Sequence, residues 1–262
     1  MDNYAGDGEL FQIMIWSLPL ITLIILYVAA GILSSRSPRL RDWPGYRYAL
    51  FIAGVLSAGA AVLGPLAEMA HTDFRFHMIG HLLLGMLAPL LLVLSAPITL
   101  TLRTLPPGMA RRLTFLLRSR YISFISHPVS ASLLNIGGLW VLYTTGLYTL
   151  MHEFQWIRTL VHLHVFFAGY LFTMSMIYIE PVAHRYGYLY RTVVFIFAFA
   201  GHGILSKYLY ASPPRGVPQA KAETGAMIMY YGGDLIDAVL IFLICFHWYK
   251  SVSPKKKAVS KI

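Results

Sequence analysis

Seven apolar stretches of about 20 residues, separated by short polar breaks, leave this chain few ways to fold. About 20 such residues are what a helix needs to cross a bilayer. They lie at roughly 10–33, 48–70, 77–102, 128–150, 158–180, 188–210 and 225–249. The breaks have physical causes. The segment 34–47 carries four arginines and two prolines, Pro106-Pro107-Gly108 follows the third stretch, His127-Pro128 opens the fourth, and Pro213-Pro214 separates the last two. Pro65, Pro89 and Pro97 lie within or near the ends of stretches, where they are expected to kink them. Hydrophobic residues make up 57% of the chain and charged residues 12%, against roughly 25% charged in a soluble domain. The expected fold is an all-α polytopic membrane protein of seven transmembrane helices, one domain over 1–250 with a basic tail at 251–262. Asp2, Asp7 and Glu9 precede the first stretch where a signal peptide would carry basic residues, so that stretch is expected to be retained. Cys245 is the single cysteine, which excludes an intrachain disulfide and any CxxC-type metal site.

Arginine and lysine set the expected orientation. Sixteen of the 21 basic residues fall in alternate loops: four in 34–47, five in 103–127, Arg185 and Arg191, and five after the last stretch. The opposite side has Arg75, Arg158, Lys207, Arg215 and Lys221. This asymmetry predicts the N-terminus outside and the C-terminus in the cytoplasm. It also assigns the net charge of +10 to topology and to anionic lipid of the bilayer, so no nucleic-acid partner is needed.

The ten histidines divide unevenly under that orientation. His127, His184 and His247 fall at the cytoplasmic ends, whereas His71, His77, His81, His152, His162, His164 and His202 fall toward the outer side. Glu68, Asp73 and Glu153 share that level, as do Met69, Met78, Met86, Met227 and Met229. Ionisable residues inside membrane helices mark functional sites by default. His77 and His81 are four apart, which puts both on one helix face with β-carbons about 5–6 Å apart, a spacing that can grip one metal ion or serve two interhelical hydrogen bonds. His162 and His164 are two apart and point to different sides, so one of them faces the bundle; which one stays open. His202 lies between Gly201 and Gly203, where a neighbouring helix can approach closely.

The expected metal site therefore combines His77, His81, His164 and His202. Glu68, Met69, His71, Asp73, Met78, His152, His162, Met227 and Asp234 stand as additional ligands or as partners that orient the ligands. Asp234 and Asp237 lie roughly 10–13 residues into the seventh stretch, near mid-membrane at about 1.5 Å rise per residue. They suit either hydrogen-bonded carboxyls or a proton relay. Histidine with methionine suits copper, and zinc remains open.

The run His77-Met78-Ile79-Gly80-His81-Leu82-Leu83-Leu84, followed by Ala88-Pro89 and Ala96-Pro97, resembles the multi-spanning bacterial CtaG-type cytochrome c oxidase assembly factors. His164-Val165-Phe166-Phe167 resembles the second histidine motif of that family, and Gly225-Ala226-Met227-Ile228-Met229-Tyr230 its Gly-Gly-x-x-Met-Trp segment. The chain departs from the family at Leu163, where an acidic residue is usual, and at Lys221-Ala222-Glu223-Thr224, where an Asp-Gln pair is common. The resemblance implies a non-enzymatic protein of the bacterial plasma membrane. Such a protein handles copper while a haem–copper oxidase matures, with an oxidase subunit or other assembly factors as partners. Two other classes compete. One is a redox protein holding haem between His81 and either His164 or His202, which a Soret band would reveal. The other is an ion or proton transporter using Asp234 and Asp237, which would show flux in liposomes. A retinal receptor is disfavoured, because the interior of the seventh stretch has no lysine for a Schiff base.

Overall fold

A computed structural model describes residues 3–38 and 40–253, with side chains described from residue 17 onward. Asp2, Arg39 and the tail from residue 254, with its four lysines, lie outside the described residues, as do the side chains of Asp7 and Glu9. The described residues form helices joined by short turns, with no strand among them.

The chain opens with α1 (Asn3–Ser35) and α2 (Gly45–Val62). It breaks at Gly64, whose φ of 74° suits glycine, and restarts at Pro65 as α3 (Pro65–Thr72). A long kinked segment follows. It consists of α4 (Phe74–Leu82), a π turn over Leu83–Leu87, α5 (Ala88–Ser95) and α6 (Pro97–Thr104). Then come α7 (Pro107–Leu117) and α8 (Arg120–Ile125). Next are α9 (Pro128–Ser132), a second π turn over Leu133–Gly137, α10 (Gly138–Thr144) and α11 (Leu147–Glu153). The chain closes with α12 (Gln155–Met176), α13 (Tyr188–Ala211) and α14 (Gln219–Val252).

Six segments are long and apolar enough to cross a membrane: Ser17–Ser35, Gly45–Val62, Phe74–Thr104, Gln155–Met176, Tyr188–Ala211 and Gln219–Val252. Their outward faces carry large apolar side chains such as Leu26, Phe197 and Leu235, as lipid contact requires. The stretch expected at 128–150 does not form one such helix; it is divided among α9, the second π turn, α10 and α11. The hydroxyls of Thr144 and Thr145 bond back to the carbonyls of Trp140 and Val141, both at 2.6 Å, and Thr145 is extended. Thr145 Oγ1 also accepts from Leu147 N at 3.2 Å. Side chains that compete in this way for backbone groups end helices, and here they separate α10 from α11.

The kink expected at Pro97 is a full break. Ala96 is left-handed at φ 54°, a conformation that costs an L-residue roughly 1–2 kcal/mol, and it starts α6 afresh. Glu180 sits across this new N-terminus. Its carboxylate accepts from Ile98 N at 2.7 Å, Thr99 N at 2.9 Å and Thr99 Oγ1 at 2.7 Å. At Pro89 the missing N–H cannot bond the Gly85 carbonyl as an α-helix would, and the chain makes its first π turn just before it. A Cβ on Gly169 of α12 would collide with that same carbonyl, so glycine is what lets α12 pack this closely. α14 in turn packs along α4 and α13, which places histidine-bearing helices side by side.

Candidate functional site

The kinked segment Phe74–Thr104 and helices α13 and α14 enclose most of the buried polar chemistry. His81 of α4 and His202 of α13 are 7% and 3% exposed. Their rings lie 6.2 Å apart between centroids and 27° from parallel. Nε2 of each is buried without a hydrogen-bond partner among the described residues. Both line a cavity of about 20 Å³ that also touches Met86, Asn135, Thr173 and Asp237. Asp237 of α14 is 4% exposed. A Cβ on Gly233 of α14 would lie 2.5 Å from His202 Cε1, so the bare glycine makes room for the imidazole.

One turn before His81, His77 is engaged differently. Its Nε2 lies 3.0 Å from the Tyr143 hydroxyl, which in turn lies 3.8 Å from Met78 Sδ. A hydroxyl has one hydrogen, so both contacts are satisfied when His77 Nε2–H donates to Tyr143 and Tyr143 donates to Met78. The His77 ring stacks on Phe74 at 6.0 Å and meets Tyr148 edge-on at 5.2 Å. Toward the chain turns, the His152 ring is 6.3 Å from that of His77, while its Nδ1 bonds the Tyr148 carbonyl at 2.8 Å.

An open cleft of about 170 Å³ lies beyond, lined among others by His71, Asp73, Tyr148, His152, Arg215 and Lys221. Asp73 caps α4 by accepting from Arg75 N at 3.0 Å, and it pairs with Arg75 at 2.7 Å and Lys221 at 3.2 Å. Those cationic partners hold its carboxyl well below the usual range. His71 Nε2 lies 3.0 Å from Arg158 Nη1 and so serves as the acceptor. Burial and that guanidinium keep His71 below its ordinary value and thus neutral at pH 7.

The other expected residues are placed elsewhere. His164 is on an exposed face of α12, with Nε2 bonded at 3.0 Å to the Leu134 carbonyl in the second π turn. His162 is half-buried on the same helix. Glu68, Met69 and Met227 are exposed, and Asp234 is half-buried one turn before Asp237. The structure thus brings His81 together with His202, and His77 with His152. Among the described residues, no group of three or more His, Cys, Asp or Glu side chains is arranged to hold a metal ion. Two contributors were missed in the sequence reading. Tyr143 gave no signal, being one of 17 tyrosines, whereas Glu180 was visible as an acidic residue at the edge of an apolar stretch.

An uncharacterized protein of Mycobacterium bovis is 35% identical over 171 residues, which is 61% of this chain and 25% of that protein. An uncharacterized protein of Mycobacterium leprae is 32% identical over 178 residues, 65% of this chain and 27% of its own length. The chain thus spans about a quarter of the length of the curated relatives it matches. No solved structure matches it. The family described as cytochrome c oxidase caa3 assembly factor (Caa3_CtaG) matches residues 25–251. With nearly all of its helical bundle inside that match, the chain belongs to the caa3-type cytochrome c oxidase assembly factor family.

Proposed function

We propose that this protein binds a single copper ion between His81 and His202 and passes it to a haem–copper oxidase during assembly. The observation that carries the reading is the pair of buried imidazoles whose Nε2 atoms have no hydrogen-bond partner among the described residues. Leaving such groups unbonded costs about 1–3 kcal/mol each, which a ligand would offset. The pair fits an ion. Two imidazoles holding one metal on opposite sides stand with ring centres roughly 6 Å apart, since each metal–nitrogen bond is about 2.0–2.1 Å. The thioether of Met86 and the carboxylate of Asp237 line the same cavity. A thioether favours Cu(I), while the carboxylate suits a harder ion such as zinc. A volume of about 20 Å³ takes one ion or one water and not a porphyrin, which supports copper over haem.

In this reading the chain crosses a bacterial plasma membrane seven times, with 128–144 as the short fourth crossing. The N-terminus faces outward and the histidine end lies on the side where imported copper arrives. The protein turns over no substrate; its partners are an oxidase subunit or other assembly factors. Metal analysis of detergent-purified protein tests the site. About one copper per chain is expected, and none in the double variant His81→Ala/His202→Ala. Deletion of the gene should leave the oxidase assembled but inactive at limiting copper, with rescue by added copper; full activity there refutes the delivery role. In a Cys245→Ser background, a single cysteine at Gly6 should label from outside and one at Ser119 only after permeabilisation.

A further inference from the structure

The cleft at the histidine end and the buried cavity are separate spaces, and a series of side chains lies between them. His152 lines the cleft, and its ring is 6.3 Å from that of His77. His77 and His81 share one face of α4. The His81 ring is 6.5 Å from Tyr143 and 6.2 Å from His202, which lines the cavity. The His152–His77 and His81–His202 steps are each close to the roughly 6 Å that two imidazoles sharing one ion would span, and His77 and His81 join them along one helix face. Tyr143 interrupts the series. Whichever tautomer His77 adopts, its Nε2 is engaged by the Tyr143 hydroxyl at 3.0 Å and is closed to a metal until that bond opens. The same hydroxyl lies against Met78 Sδ, at 3.8 Å. One hydroxyl therefore occupies a nitrogen and a sulfur, the two donor types a Cu(I) ion accepts.

We propose that the cleft is the loading mouth for Cu(I), that His152, His77 and Met78 form the transfer step to the His81–His202 cavity, and that Tyr143 is the gate on that step. The proposal rests on the copper reading above and adds the route and its control. Arg215, Lys221 and the Arg75–Asp73 pair at the mouth leave it net basic, so a free cation is disfavoured there and an anionic copper complex is drawn in.

The test measures loading rate separately from final occupancy. Full-length protein in detergent micelles is mixed, under reducing conditions, with Cu(I) held by an anionic colorimetric chelator, and transfer is followed by absorbance. Tyr143→Phe should load about fivefold faster than wild type, the factor that one neutral hydrogen bond represents, with the same final copper per chain. Thr149→Trp, which adds bulk to the mouth and replaces no donor residue, should load severalfold more slowly to the same end point. Equal rates for wild type and Thr149→Trp at full occupancy would overturn the route and leave the copper site standing. Acceleration absent in a folded Tyr143→Phe would overturn the gate. Wild type that takes up no copper would refute the site and the route together. Thr149→Trp tests the route by itself if Tyr143→Phe fails to fold, with helix content by circular dichroism as the check.

Discussion

The two ends of the bundle differ in what their most deeply buried ionisable groups meet. At the arginine-rich end several have partners that hold them, although Ser34 Oγ, Ser126 Oγ, Thr192 Oγ1 and the Nε atoms of Arg47, Arg103 and Arg191 are buried without a hydrogen bond among the described residues. Glu180, fully buried, caps α6 through three hydrogen bonds. Arg191 donates to the Met176 carbonyl and lies 4.2 Å from the centre of the Tyr178 ring and 4.5 Å from that of Tyr188. Trp43 Nε1 donates to Tyr27 at 3.1 Å, Tyr27 donates to the Ser95 carbonyl at 2.6 Å, and Arg47 stacks over Trp43. At the histidine end Nε2 of His81 and of His202 and the carboxyl of Asp237 make no hydrogen bond among the described residues, although all three side chains line one cavity. A satisfied buried network rigidifies, whereas an unsatisfied one is tolerated where function needs it. Glu180 at the arginine end holds the fold, and on the reading proposed above the His81–His202 pair at the other end holds an ion.

Substitutions that separate binding from stability break or sharpen this contrast. The largest effect is expected for His81→Leu/His202→Leu, which should abolish bound copper while the thermal midpoint stays the same or rises, since two unsatisfied groups give way to apolar side chains of similar size. A midpoint lowered by several degrees would mean that the pair is structural. Next is Glu180→Ala at the other end. It should cost on the order of 2–4 kcal/mol through three orphaned donors at α6, with copper stoichiometry unchanged, measured by denaturant titration alongside metal analysis. Loss of copper binding in that variant would erase the distinction between the ends. A smaller effect is expected from Gly233→Ala. Its Cβ presses on His202 and should weaken Cu(I) affinity by roughly tenfold, or about 1.4 kcal/mol, in chelator competition.

The smallest effect is the acid response of Asp73. Arg75 and Lys221 depress its pKa in the folded chain, so its contribution is complete above the ordinary aspartate value of 3.8 and is lost as pH falls below it toward the folded value. Thermal midpoints should be level above about pH 5 and decline below about pH 4, a decline that Asp73→Asn should remove.

How much of this was legible depended on range. Apolar length alone marked six of the expected stretches, because lipid demands continuous helix whatever the neighbours do. The stretch at 128–150 read as one helix because apolar length does not register the back-bonding of Thr144 and Thr145. The kink at Pro97 followed from its ring, but its capping by Glu180 lies more than eighty residues away in sequence. His77 and His81 shared a face by helical spacing, yet their separate duties depended on Tyr143 and His202 from other helices.

By itself the sequence determined the solvent, the approximate places of the helices and the gathering of histidines at one level, since each follows from local composition and period. Family membership was legible from the spacing of three short motifs, and the match over residues 25–251 bears it out. Only the tertiary structure decided which histidines meet. His202 reaches His81 because Gly233 leaves room for its ring, and His164 reaches the Leu134 carbonyl because Gly138 leaves room for its ring. Helical period fixes the face of a residue on its own helix, but the partner across the bundle is set by how closely the backbones pack.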